Sequence, residues 1–264
     1  MFFISLNTLT FASILYSSMT PKISLLKTNI HNLSLQDTLA LVEQAIAENK
    51  QLHHMVVNAG KLVTLQKDGK LRESVNSADI INADGQAVVW ASKFLGVPLK
   101  ERVAGIDLMA SLVELANKKN YKIYLLGAKE EIVSKLVNIY KEKYNPSIIA
   151  GYRNGYFSEE EECDIVNDIV NSGAQMLFVA MTSPKKENFL HKHKTSLSKV
   201  NFIMGVGGSF DVFAGKTKRA PLWMQKMGLE WFYRFLQEPK RMWKRYLVGN
   251  TKFLFLVLKE KFKK

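Results

Sequence analysis

The 264-residue sequence holds a single cysteine, which excludes an intramolecular disulfide framework and a cysteine-rich zinc site. Cys163 lies in the acidic, helix-like run Glu159 to Asp168 and reads as an inert residue of a protein from a reducing compartment. Long apolar runs are scarce as well. Phe253 to Leu258 is six residues long and bounded by lysines, far below the roughly 20 residues that cross a bilayer. Met1 to Ser18 is apolar but lacks the Lys or Arg that a signal peptide carries ahead of its apolar stretch, and Asn7, Thr8 and Thr10 break it. That segment is read as disordered or as an over-long start, with Met19 the natural beginning. None of the five histidines pairs with another at metal-ligand spacing, and no D-x-D pair exists of the kind many nucleotide-sugar enzymes use to hold a divalent ion. Neither a metal nor a cofactor is expected. A G-x-G-x-x-G fingerprint in a first strand–helix unit is also missing, which weighs against a Rossmann-type dehydrogenase.

What the chain does have is apolar content for a substantial core, 47% hydrophobic residues, and a formal charge of +13. The charge is concentrated. From Lys216 to Lys264 there are fourteen Lys/Arg against three acids, so the tail carries +11 and the rest of the chain is nearly neutral. Such an end calls for a polyanionic partner: nucleic acid, an anionic membrane or a phosphorylated substrate.

Through the middle, apolar bursts alternate with amphipathic stretches. Strands are expected at His54–Asn58, Asp79–Asn82, Tyr121–Leu126, Ser147–Ala150, Met176–Ala180 and Asn201–Val206. Helices are expected at Lys61–Ser77, Gly85–Leu95, Gly105–Lys119, Glu130–Tyr144, Ser158–Ser172 and around Glu187–His193. Strands rich in Val, Ile and Leu, each followed by a helix, require a mostly parallel sheet covered on both faces, a Rossmann-like α/β fold. From Pro221 the pattern changes to aromatic and basic residues at helical spacing. The organisation read from this is a segment 1–18 outside the fold, an α/β catalytic domain over 19–215 and a basic helical appendage over 216–264.

Parallel sheets bind ligands at the carboxyl ends of their strands, so residues just after each strand are the candidates for chemistry. Asp84, in Asn82-Ala83-Asp84-Gly85, has two compatible readings: N-cap of the next helix, or a general base at the sheet edge. Gly205-Val206-Gly207-Gly208-Ser209-Phe210-Asp211 could offer backbone N–H groups to a phosphate, with Asp211 equally suited to turning the chain. Gly127 ends a strand, where glycine also simply turns the chain. Arg102 is a solvated loop charge or a planar fork for an anion or hydroxyl pair. In the tail, Arg234, Arg241, Lys244 and Arg245 interleave with Trp231, Tyr233, Trp243 and Tyr246. That mixture suits a diphosphate at a membrane surface, would also suit nucleic acid, and could instead be aromatics packed on the body beneath solvated charges.

These residues resemble the WecG/TagA/CpsF glycosyltransferases. The resemblance runs through Asn58, Asn76-Ser77-Ala78-Asp79, Ala83-Asp84-Gly85, Glu101 to Leu108, Tyr124 to Gly127, Gly155-Tyr156-Phe157 and Ser183 to Glu187. It continues through Gly205 to Asp211, Arg219-Ala220-Pro221, Gly228 to Trp231, Tyr233-Arg234, Gln237-Glu238-Pro239 and Arg241 to Tyr246, covering nearly everything after residue 25 in order. It implies transfer of N-acetylmannosamine, or a related hexosamine or hexose, from a UDP-sugar donor to an undecaprenyl-diphosphate-linked acceptor, with inversion and without metal. It further implies Asp84 as catalytic base, with Asn58 and Arg102 as pocket partners and Tyr156 near the uridine. Arg234 and Arg241, with Lys244 or Arg245, would close over the diphosphate. A peripheral position on the inner face of the plasma membrane and self-association follow from the resemblance, and nucleic acid is not expected. Two positions depart from the family pattern: Val56 stands where many members carry threonine, and Lys186 where many carry glutamine, which puts sugar specificity and donor choice in question.

Overall fold

The structure, a computed structural model, describes residues 21–263; the segment 1–18 and the side chains of Arg241, Lys244 and Arg245 lie outside the described residues. The chain enters through an antiparallel hairpin, β1 (Lys22–Leu25) and β2 (Thr28–His31). A helix follows, α1 (Leu35–Ala47), opened by a reciprocal capping box in which the Ser34 hydroxyl accepts the Asp37 N–H and the Asp37 carboxylate accepts the Ser34 N–H. None of these three elements was among the sequence expectations.

The body then alternates as expected: β3 (Leu52–Val57), α2 (Ala59–Leu65), α3 (Gly69–Asn76), β4 (Ile80–Ala83), α4 (Gln86–Phe94), α5 (Gly105–Lys119), β5 (Ile123–Gly127) and α6 (Glu130–Lys143). Next come β6 (Ile149–Arg153), α7 (Glu162–Asn171), β7 (Met176–Ala180), α8 (Lys185–Lys192), β8 (Phe202–Gly205) and the short α9 (Ser209–Phe213). The six strands β3 to β8 form one parallel sheet in the order β4-β3-β8-β7-β5-β6. Because successive side chains point to opposite faces, β7 sends Leu177 and Val179 into one core and Met176, Phe178 and Ala180 into the other, all buried. The sheet is thus covered on both sides by helices, the Rossmann-like arrangement expected.

Several boundaries differ, most of them by one or two residues. The single helix expected over Lys61–Ser77 is two, because Asp68 caps a new helix by accepting the Leu71 N–H at 2.9 Å. The strand expected at Ser147 starts at Ile149, after a 3-10 turn at Pro146–Ile148. The helix expected from Ser158 starts at Glu162.

Beyond the sheet lie α10 (Leu222–Lys226), α11 (Glu230–Gln237), α12 (Pro239–Trp243), a π-helical turn (Lys244–Val248) and α13 (Gly249–Lys261). This segment is helical throughout, and its last helix returns to the body: Phe253 and Val257 are buried in the same core as Leu62 and Leu65 of α2. Among the described residues, no helix is long and apolar enough to cross a membrane.

Candidate active site

A cleft of about 1540 Å³ opens along the carboxyl ends of β3, β4, β7 and β8, with residues of α11 to α13 forming its far wall. Asn58, Asp84, Arg102, Tyr156, Lys186, Gly207, Asp211 and Arg234 all line it, so the topology gathers eight of the sequence candidates into one space. Gly127 does not line it, although its neighbour Ala128 does. Gly127 serves the backbone: at φ 128° it passes so close to β7 that a Cβ would lie 2.5 Å from the Ala180 carbonyl oxygen. The crossing lets the Ala128 N–H donate to Ala180 and the Ala128 carbonyl accept the Gly155 N–H. This brings the loop after β6, with its exposed Tyr156, back over the cleft.

The floor lies between β3 and β4. Asn58 caps α2, its Oδ1 accepting the Lys61 N–H at 3.0 Å, and its Cβ packs beside Gly85. Asp84 does not cap the helix after it; the N-cap of α4 is Gly85, and no side chain bonds there. The N-cap reading of Asp84 is thereby corrected. The carboxyl turns across the cleft instead, where Oδ1 accepts the Gly105 N–H of α5 at 3.3 Å. Burial raises its pKa from 3.8 to about 6; Arg102, the Gly105 N–H and Lys61 pull the other way, and Glu230 adds to the rise. A carboxylate with this proton affinity is largely ionised at neutral pH and is still basic enough to take a proton from a hydroxyl. Val56, where a hydroxyl was missed in the sequence, lines the floor close to Gly105 and Asp84.

Arg102 is neither solvated nor isolated. Its Nη1 donates to Glu230 Oε2 at 2.8 Å, and its Nη2 lies 3.8 Å from Asp107. Arg219 grips Asp107 with both terminal nitrogens and donates from Nε to Glu230 at 3.2 Å. On the other side of the floor, Lys61 Nζ donates to the Val56 carbonyl at 2.9 Å and to Glu187 Oε1 at 2.8 Å, and Lys186 pairs with the same oxygen at 2.8 Å. Burial would raise the pKa of Glu187, but Lys61 and Lys186 together bring it down to about 2. Lys61, Glu187, Asp107, Arg219 and Glu230 were given no role from the sequence, although all but Lys61 fall in the stretches that carry the resemblance; the pairs Lys61–Glu187, Arg102–Glu230 and Asp107–Arg219 span more than a hundred residues and only the fold joins them.

The glycine loop after β8 faces the appendage. Arg234 of α11 lies against Gly208, where a Cβ would stand 2.7 Å from its Nη2. Asp211 pairs with Lys216 at 3.3 Å on the same wall. Trp231 stacks at a tilt on Tyr246, ring centroids 5.6 Å apart, so these two aromatics pack on each other within the appendage. Among the described residues, no group of three or more His, Cys, Asp or Glu is placed to hold a metal ion.

The model of the glycosyl transferase WecG/TagA/CpsF family matches residues 23–264. Over 194 residues, 74% of each chain, the sequence is 39% identical to an N-acetylglucosaminyldiphosphoundecaprenol N-acetyl-beta-D-mannosaminyltransferase of Bacillus subtilis (strain 168). Over 185 residues, 70% of each chain, it is 38% identical to the protein of the same name from Bacillus spizizenii. With a family match over nearly the whole chain and relatives of this identity and coverage, the chain is a glycosyltransferase and belongs to the WecG/TagA/CpsF family.

Proposed function

We propose that this chain transfers N-acetylmannosamine, or a related hexosamine or hexose, from a UDP-sugar to a sugar linked to undecaprenyl diphosphate, inverting the anomeric centre and using no metal. The observation that carries this reading is Asp84, a carboxyl of raised proton affinity on the floor of a cleft whose opposite wall is cationic. In the step proposed, the acceptor hydroxyl gives its proton to the Asp84 carboxylate while its oxygen attacks the anomeric carbon from the face opposite the leaving group. The bond from that carbon to the UDP oxygen breaks, and UDP leaves with the electron pair. Asn58 and Arg102 flank the reacting sugar. The growing charge on the diphosphate meets Arg234 and the backbone of Gly207 and Gly208, with Arg241, Lys244 and Arg245 as the further cations of the reading. The names of the relatives support the donor sugar and the lipid-linked acceptor.

The experiment is UDP release from UDP-N-acetylmannosamine and a lipid-diphosphate-N-acetylglucosamine analogue, with and without EDTA, beside an Asp84→Asn variant. Release that survives EDTA and falls by ~10²–10⁴ in the variant supports the base and the metal-free reaction. Release abolished by EDTA removes the metal-free step, and no release with this donor, UDP-glucose or UDP-N-acetylglucosamine removes the donor class. Anomeric NMR of the product decides inversion.

The same reading places the basic appendage on the cytoplasmic face of an anionic membrane, with self-association of the body. Trp223, Met227, Leu254 and Phe255 are exposed along the appendage beside its lysines, which supports an interfacial position. Flotation with phosphatidylglycerol and with phosphatidylcholine vesicles tests it: equal binding to both would remove the electrostatic part.

A further inference from the structure

Glu230 is carried by α11, outside the sheet, yet its carboxylate ends between two arginines at the cleft. It takes one bond from Arg102 and one from Arg219, while Asp107 holds both terminal nitrogens of Arg219 and lies near Arg102. The four side chains close a ring of two positive and two negative charges. Arg102 and Asp107 come from the body, Arg219 and Glu230 from the far wall. The Arg102 side chain is only 16% exposed and that of Glu230 27%, so water screens the ring less than it would a surface pair. Arg102 is also the strongest positive influence on Asp84.

We propose that Glu230 is a positioning residue for the transfer: by closing the ring on Arg102 it holds that guanidinium in place and sets how strongly its charge bears on Asp84. This inference rests on the reading of Asp84 as the base. The groups that face Asp84 are the Gly105 N–H of α5 and Arg102 before it, Lys61 of α2, and Glu230 of α11. Further along the floor, Lys186 and Glu187 of α8 pair with each other and with Lys61, and at the outer side Asp107 and Arg219 neutralise one another. Of these groups, Glu230 is the acid bonded directly to Arg102. With it in place, the guanidinium of Arg102 shares its charge with a carboxylate and its pull on Asp84 is offset. Without that carboxylate, Arg102 acts on Asp84 unopposed, which weakens the base.

The test compares full-length wild type, Glu230→Gln and Glu230→Asp on phosphatidylglycerol vesicles, measuring kcat/KM for UDP release across pH. The amide can still accept a bond from Arg102 but carries no charge, so the acid limb should move to lower pH and the plateau should fall severalfold; Glu230→Asp should bring the limb back. A role confined to holding the wall in place lowers the rate equally at every pH, and an acid limb of Glu230→Gln that coincides with wild type overturns the proposal. Carboxyl carbon NMR of Asp84, assigned by its loss in Asp84→Asn, follows the same titration without turnover. If wild type releases no UDP, the proposed reaction fails; the NMR shift still decides whether Glu230 sets the proton affinity of Asp84.

Discussion

Asp84→Asn should make the protein more stable while removing its activity, and the size of the gain is set by the site. The Asp84 carboxyl titrates near 6 in the fold against 3.8 ordinarily, because burial penalises its charge. Between those values the folded chain keeps a proton that the unfolded chain has released, so stability falls as pH rises through the window and the loss is complete above about 6. Two pKa units correspond to ~3 kcal/mol, an upper limit because the carboxyl is open to the cleft on one side. Asparagine has no charge to desolvate, and its side-chain oxygen can still accept the Gly105 N–H. Urea unfolding should therefore show the variant ~1–3 kcal/mol more stable than wild type at pH 7.5, with roughly half that advantage at pH 5 and little at pH 4. A variant no more stable than wild type at pH 7.5, or one whose advantage does not shrink on acidification, would refute the claim that Asp84 is held in a desolvated, strongly basic state.

Glu187→Gln leaves Lys61 and Lys186 buried at the cleft floor without their shared carboxylate, and should cost ~3–5 kcal/mol in unfolding free energy, read by urea titration. Gly127→Ala would drive a Cβ into the Ala180 backbone at a positive φ, so a loss of ~2 kcal/mol or more is expected, with a lowered thermal midpoint as the readout. Among the described residues, the buried His53 finds no hydrogen-bond partner for either ring nitrogen, and burial, with Lys194 and His191, lowers its pKa from 6.5 to about 3. It stays neutral in the fold while the unfolded chain protonates, so its contribution is intact above about 6.5 and is lost progressively as pH falls toward 3. A His53→Phe variant should flatten the acid side of the stability curve by ~1–3 kcal/mol, measured by urea midpoints from pH 7 to 4.

The parts of the fold that could be read were those where local chemistry repeats the tertiary answer. β7 and α5 occupy the residues their patterns marked, because a fully buried parallel strand is apolar at every position and α5 keeps one apolar stripe. The β1–β2 hairpin could not be read: its turn residues Leu26 and Lys27 both adopt positive φ, 49° and 62°, where Asn-Gly would be the usual signal. Burial of Leu26 in the main core holds that turn, a tertiary cause with no local trace. The split between α2 and α3 did carry a signal, Asp68-Gly69, that a continuous apolar stripe concealed. At the site, Asn58 and Asp84 were visible because strand ends are where parallel sheets place chemistry. The Lys61–Glu187 pair spans 126 residues and the Arg102–Glu230 pair 128, so neither has any spacing that a sequence could display.

The distribution of charge suits the role proposed for Asp84. A base must keep a high proton affinity, and every cation fixed nearby lowers it, as Arg102 and Lys61 already do. A leaving diphosphate needs several cations, and their effect on a carboxylate in the same cleft would persist through a low-dielectric floor. Here the fixed cations of the floor are held against acids, Arg102 against Glu230 and Lys61 with Lys186 sharing Glu187. Most of the net positive charge, +11 of +13, is carried by the chain from Lys216 onward, with Arg234 laid on the backbone of Gly208. Moving Arg234's charge into the body, beside Asp84, should weaken the proposed base more than it helps the leaving group; carrying it on a separate wall is what a cleft pairing that base with the proposed phosphate site requires.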